Sequence, residues 1–316
     1  MSADLDGRAL VVLHTLEASL VCYEVASGRE RFRIPTGPFP HGMCLAPDRS
    51  HLYVTEYGVR TVDSEGEGGN TVGVFALRRP ERAGTIGLGR HRRPHGIAVH
   101  SGGRLFVTSE PQRTLLILRV EDHTVLHAVD VEEEIPHVVA VSPDGRTVFT
   151  GNLGSGTVSA VDVMMGTVLR HVKGLGRPEA MASSPDGLLL YVANSDSAVV
   201  TIVDTVRLEV VGGIETGRRP IRVVVAPDGR RLALALLDED AVQIADARTR
   251  KVSATIPVGR RPNGTALSAD GRVLFVSCEG DRRVCALGLE EGRVLTTIPT
   301  GEGPGALVSL DLAEVG

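Results

Sequence analysis

Pro136, Pro178, Pro220 and Pro262 stand 42 residues apart, and each opens a short apolar segment that ends at an Asp-Gly turn. The turns are Asp144-Gly145, Asp186-Gly187, Asp228-Gly229 and Asp270-Gly271. Degenerate copies begin at Pro40, with Asp48, and at Pro94, with Gly102-Gly103; Asp6-Gly7 lies 42 residues before Asp48. A period of this length confines the chain to stacked repeat architectures, because one unit cannot bury both faces of its own sheet. Within the period that starts at Pro178, apolar runs at 179–184, 188–193, 198–204 and 208–214 read as four strands. They are rich in Val, Leu and Ile and are bounded by Gly, Pro, Asn and Asp. No stretch holds a helical period for three turns.

Seven turn signals and a stray eighth phrase, GPGALVSL at the C-terminus, decide between an open and a closed stack. The N-terminal RALVVLH, SLVCYEV and RERFRIP supply strands B, C and D of a first blade, and GALVSLDL returns to supply its strand A. An open solenoid or β-helix would need polar caps, whereas these two ends complement each other. The expected fold is an all-β, seven-bladed β-propeller of four-stranded blades, one domain over 1–316, with the ring closed by the C-terminal strand. Aromatic residues make up only 3% of the chain and Trp is absent, so Val, Leu, Ile and Ala must fill the space between blades.

LYVTE (52–56), LYVAN (190–194) and the PDG turns resemble the YVTN-type β-propeller repeat family across essentially the whole chain. The resemblance implies the propeller fold. Its activities are diverse: lactonases, virginiamycin-type lyases, cofactor-bearing dehydrogenase subunits, surface-layer proteins and nucleic-acid binders.

Charge and composition narrow the partners. With 34 Lys+Arg against 39 Asp+Glu, the formal charge of −5 excludes a broadly basic nucleic-acid surface. The four cysteines (Cys22, Cys44, Cys278, Cys285) have no CxxC spacing and suggest neither a disulfide framework nor a zinc module. The N-terminal MSADLDGRALVVLH lacks a basic leader signature, and no apolar run approaches the roughly 18 residues of a membrane span. The cytoplasm is the expected location. No nucleic acid, membrane or obligate protein partner is expected, since ring closure leaves no exposed sheet edge that demands one.

Departures from the repeat mark the site. Strand A starts and strand B ends on one face of the ring, so two positions per blade should circle the channel mouth. The first, just after the Pro, holds His41, His95, His137, Glu179, Ile221, Asn263 and Gly305. The second, counted eight residues after the turn Asp, holds His14, Glu56, Glu110, Asn152, Asn194, Leu236 and Cys278. A register error of one residue would turn an inward side chain outward. Three histidines in one slot of consecutive blades can converge on an ion, and neutral imidazoles suit Zn, Fe, Mn, Cu or Ni better than Ca or Mg. His14 is a possible fourth ligand. Glu56 or Glu110 could complete the shell, orient a ligand histidine or act as base, and Glu179 is a third acid/base candidate. Repeated Pro-His-Gly can also be a hydrogen-bonded turn copied between related blades.

Pro40 to Pro94 is 54 residues, so blade two carries twelve extra residues, which fall within YGVRTVDSEGEGGN at 57–70. Lying between strands B and C, it can lid the mouth, with Tyr57, Arg60 and Asp63 as contacts. Basic loops at Arg90-His91-Arg92-Arg93, Arg177, Arg218-Arg219 and Arg260-Arg261 read either as a positive collar or as solvated rims. Arg93, Arg177 and Asn263 join Tyr57 and Arg60 as substrate-binding candidates. The reaction expected is metal-dependent lactone or ester opening, or an elimination, on a small polar or anionic molecule; the choice of reaction follows from the family resemblance. A four-histidine ion backed by carboxylates also resembles the site of carotenoid-cleaving oxygenases, although this chain is much shorter and lacks large inserted caps. A non-haem iron or copper oxidoreductase and a non-catalytic ligand-binding or scaffold propeller therefore remain open.

Overall fold

A computed structural model describes residues 5–316. Met1–Asp4, where the N-terminal leader reading begins, lie outside the described residues. The chain forms seven four-stranded antiparallel sheets arranged as the blades of a propeller. In blade five the strands are Pro178–Ser183, Leu189–Asn194, Val199–Asp204 and Glu209–Glu215, each within about a residue of the run that the repeat marks. Blade one joins the C-terminal Pro304–Asp311 to Arg8–His14, with Val11 opposite Val308, and continues through Ser19–Glu24 to Glu30–Pro35. Among the described residues no helix is long and apolar enough to cross a membrane.

Alternation along strands B and C sends apolar side chains to both faces, and each face packs on the next blade. Blades three and four meet through Phe106, Leu115, Ile117, Val148 and Val161. Blades seven and one meet through Phe275, Ala286, Leu10, Val12 and Val21, so the closure point is as apolar as the other joints. Half of the scarce aromatics share one strand-B slot: Tyr53, Phe106, Phe149, Tyr191 and Phe275 all stand three residues before the strand end and are buried. Each such ring supplies burial worth roughly 1.5–3 kcal/mol where an aliphatic residue would leave space between blades.

At the start of strand A the ladder is interrupted. Pro136 pairs with Asn152 and Val138 with Gly151, leaving His137 as the extra residue of a β-bulge. The same register shift follows Pro40, Pro94, Pro178, Pro220 and Pro262. A bulged residue leaves the plane of the pleat, which points this slot into the channel. In three blades the next residue is Gly, and its freed N–H donates to a hydroxyl of strand B: Gly42 to Thr55, Gly96 to Thr108 and Gly264 to Ser277, at 2.7–2.8 Å. A Cβ at Gly42 would stand 2.3 Å from the His95 carbonyl, and one at Gly264 2.0 Å from that of Gly305. Glycine is thus required by the close approach of neighbouring A strands.

Candidate metal centre at the channel mouth

All seven first-slot residues line one cavity of about 400 Å³. The bulge therefore delivers His41, His95, His137, Glu179, Ile221, Asn263 and Gly305 to a common space. The rings follow one another round the wall: His41 and His95 have centroids 4.9 Å apart, and His95 stacks on His137 at 3.6 Å and 22°.

The second slot is displaced by one residue from its expected position. Thr15, Tyr57, Leu153, Leu237 and Glu279 reach the cavity, and each immediately follows the residue that the count placed there. The counted residues turn instead into the seams between blades. His14 is fully buried, with Nδ1 3.2 Å from a Glu17 oxygen and Nε2 3.3 Å from the Tyr23 hydroxyl. Both ring nitrogens are thus occupied away from the other histidines. Glu56 accepts hydrogen bonds from the Gly37 N–H, the Thr71 hydroxyl and the Arg82 guanidinium, so its carboxylate is fully used within blade two. Asn152 and Asn194 bond to hydroxyls of strand C, and Cys278 lies 3.8 Å from Cys285.

Blade three is the exception. Its A–B hairpin is one residue short, because Pro94 pairs with Ser109 where blade four pairs Pro136 with Asn152. Glu110 is therefore the residue after the strand, in the slot that Tyr57 and Leu153 fill elsewhere. There it accepts from His137 Nδ1 at 2.6 Å and from the Tyr57 hydroxyl. His95, Glu110 and His137 can each offer a ligand atom within 4.8 Å of the others, a cluster capable of holding a metal ion.

The protons follow from these contacts. His95 Nδ1 lies 2.9 Å from the His137 carbonyl, so it carries the hydrogen and leaves Nε2 with its lone pair. His41 Nε2 is buried without a partner. Burial, and then the charge on His137, hold His95 well below the ordinary histidine range and His41 at about 4; both are neutral bases. For His137, burial works against the charge, but Glu110 and Glu179 outweigh it and push the imidazole up to about 9. Glu179 Oε1 is 3.7 Å from His137 Nε2, and its other oxygen accepts from Ser195 at 3.1 Å. Despite burial, the His137 charge holds Glu179 at about 2, so it is a carboxylate at neutral pH.

Of the other candidates, Tyr57, Arg60, Arg177 and Asn263 line the cavity together with Asp63. Arg93 does not. Its guanidinium donates to the carbonyls of Val62, Ser64 and Gly66, fastening the 57–70 segment from behind. Burial and the adjacent Glu110 keep the Tyr57 phenol far above its usual pKa, so it serves as a donor and not as a base. Among the cavity residues that escaped the sequence reading is Arg222, two places after Pro220. A signal was available, since the equivalent residues are Gly42, Gly96, Val138, Ala180, Gly264 and Ala306. A charged side chain among six small ones is the largest departure at that position.

Fold and site together define a seven-bladed β-propeller whose channel mouth carries a histidine–carboxylate cluster able to hold a metal ion. No family model matches the chain, and no curated protein matches it. Among solved structures it is similar to hydrazine synthase of Kuenenia stuttgartiensis, at 20% identity and a TM-score of 0.72, over 86% of this chain and 90% of that one. It is also similar to a functionally unknown protein from Desulfotomaculum acetoxidans DSM 771, at 15% identity and a TM-score of 0.78, over 97% and 99%. At such identities the likeness is one of fold.

Proposed function

We propose that the protein is a metal-dependent hydrolase or lyase of the YVTN-type propeller kind, acting at the channel mouth on a small polar molecule, lactone- or ester-like. The observation that carries this reading is the set of three imidazoles in one bulge slot, with His41 Nε2 buried and unpartnered and His95 Nε2 left as a lone pair. Such donors fit a divalent transition metal (Zn, Fe, Mn, Cu or Ni). His41 and His95 would hold it as neutral imidazoles, His137 would join them on giving up its Nε2 proton, and Glu110 would orient His137 from behind through Nδ1. When bound, the ion supplies Lewis-acid polarisation of a carbonyl and activation of water.

The remaining chemistry belongs to the chain. Of the three carboxylates considered as acid or base, Glu179 alone lines the cavity, and it is ionised at neutral pH, the form a proton acceptor needs. Glu56 is spent on Arg82, and Glu110 on His137 and Tyr57. The 57–70 segment lies over the histidine side of the mouth through Tyr57, Arg60 and Val62, and limits water there.

The test is elemental analysis of protein purified without chelator, beside a His41→Ala/His95→Ala/His137→Ala variant whose fold is checked by circular dichroism. Near-stoichiometric metal in the wild type and none in the folded variant is the expected result, and the metal's identity selects hydrolytic or redox assays. Wild-type protein that takes up none of Zn, Fe, Mn, Cu or Ni overturns the proposal in favour of a metal-free ligand-binding propeller.

A further inference from the structure

Across the cavity from the histidines, blade six places an apolar residue, Ile221, in the bulge slot and sends the guanidinium of the next residue, Arg222, into the same space. Arg222 donates through Nη1 to the Ile221 carbonyl at 2.7 Å and through Nη2 to Asn263 Oδ1 at 3.2 Å. A guanidinium carries five N–H donors, so three are left without a partner among the described residues. Removing this cation from water costs several kcal/mol unless an anion answers it. Glu179 is the nearby carboxylate, but it bonds to Ser195 and faces His137, and it acts on Arg222 only through its field. A purely structural guanidinium would close on that carboxylate. This one stays open toward the cavity.

The surrounding charges indicate what would close it. Five arginines line the cavity (Arg60, Arg177, Arg219, Arg222 and Arg261). Arg219 is paired with Asp238 at 3.4 Å and Arg261 with Glu279 at 3.5 Å. Arg60 and Arg177 are exposed, where solvent screens them. One uncompensated cation remains at depth, with a planar fork of donors and a fixed amide beside it. That arrangement matches a single carboxylate, which a guanidinium binds through two parallel hydrogen bonds, better than a dianionic phosphate.

We propose that Arg222, aligned by Asn263, anchors the carboxylate of a small carboxylic-acid substrate whose other end is presented to His41, His95 and His137. This rests on the reading of the cavity as the functional site, and it names the substrate class that the metal assignment leaves open. The carboxylate takes the unfilled donors of Arg222, and Glu179 stays with Ser195 and His137 beside the substrate's far end.

Isothermal titration calorimetry with butyrate, its neutral isostere butyramide and inorganic phosphate tests the assignment, on chelator-treated and metal-supplemented protein. Butyrate is expected to saturate one site, and butyramide to give no measurable binding. Arg222→Met should weaken butyrate about ten- to a hundredfold, the loss of charge-assisted hydrogen bonds, while metal content stays at the wild-type level. Arg222→Lys, which keeps the charge and loses the fork, should fall between the two. Thermal melts confirm that each variant is folded, and if Arg222→Met is not, Arg222→Lys alone decides. Undiminished butyrate binding by the variants, no binding by the wild type, or phosphate binding more tightly than butyrate would overturn the inference. Wild-type protein that binds butyrate but no metal would sink the metal reading and leave the carboxylate anchor standing.

Discussion

The two walls of the channel mouth start from the same strand position and are finished in opposite ways. On the wall of blades two to four, most polar groups are tied to one another, and the Nε2 atoms of His41 and His95 are left open. His95 is bonded to the His137 backbone, His137 and Tyr57 to Glu110, and Arg93 holds the segment that carries Tyr57. On the wall of blades five to seven, the bulge slot holds Glu179, Ile221 and Asn263, and Arg222 with Asn263 makes few bonds. A wall locked by its own hydrogen bonds holds reacting groups in place without reorganisation. A wall with spare donors waits for a ligand to complete it. The division teaches that one repeat can supply both rigidity and unsatisfied binding capacity, according to which residue follows the proline.

The strongest way to break this comparison is to remove the keystone of each wall in turn. Glu110→Ala deprives both His137 and Tyr57 of their buried acceptor. It should cost about 3–5 kcal/mol of stability and lower metal affinity about ten- to a hundredfold. Asn263→Ala, which removes only an acceptor for Arg222, should cost about 1 kcal/mol and leave metal affinity alone. Urea unfolding and competition with a chromophoric chelator measure both quantities. Equal losses for the two variants would show that the walls are not built differently.

Much of this contrast was legible before the fold was known, and what was not had geometric causes. The first slot could be read because a proline stands beside it in every blade, so no count separates anchor from residue. The second slot was reached by counting across a hairpin, and the count ended one residue short of the inward position. His14 and Glu56 consequently point into blade seams, and Tyr57 fell on the cavity only as part of the insertion. Glu110 meets His137 and Tyr57 because two departures cancelled, the short hairpin of blade three offsetting the miscount. Arg222 was missed because only the residue adjacent to each proline was compared. Hydrogen bonds such as Tyr57 to Glu110 join residues from different blades, and the repeat contains no information about them.

The pH dependence of the metal-free protein sharpens the comparison with a smaller effect. His137 is raised in the fold to about 9, so its stabilising contribution is complete below the unfolded histidine value near 6.5 and is lost as pH rises through 9. His41 is lowered to about 4, so the fold loses stability as pH falls from about 6.5 toward 4, where the unfolded chain takes up a proton that the native site refuses. Glu179, held at about 2, adds a loss below about pH 4.5 that continues through 2. Denaturation midpoints should therefore be highest near pH 6.5 and decline on both sides, with the alkaline decline abolished in His137→Ala. Arg222→Met should leave the alkaline limb in place and soften the acid limb, because the guanidinium's field contributes to the depression of His41 and His95. A variant of the arginine wall that erased the alkaline limb would contradict the assignment of that limb to His137.

The smallest effect separates the slot that faces the cavity from the slot that faces the seam. Glu56 is as buried and as close in sequence to the site as Glu110, yet its bonds run to Gly37, Thr71 and Arg82. Those partners fasten strands B, C and D of blade two to the segment that enters it, and the Arg82 end is partly open to solvent. Glu56→Gln keeps an oxygen for the Gly37 N–H and gives up the charge opposite Arg82. It should therefore lower stability by about 1–2 kcal/mol, with metal content and butyrate affinity at wild-type levels. Placed beside Glu110→Gln, which alters the partner of His137 directly and should weaken metal binding, the pair asks whether one residue of register separates structure from site. A fall in metal content in Glu56→Gln would mean that the seam of blade two reaches the ion, and the division between the two slots would have to be redrawn.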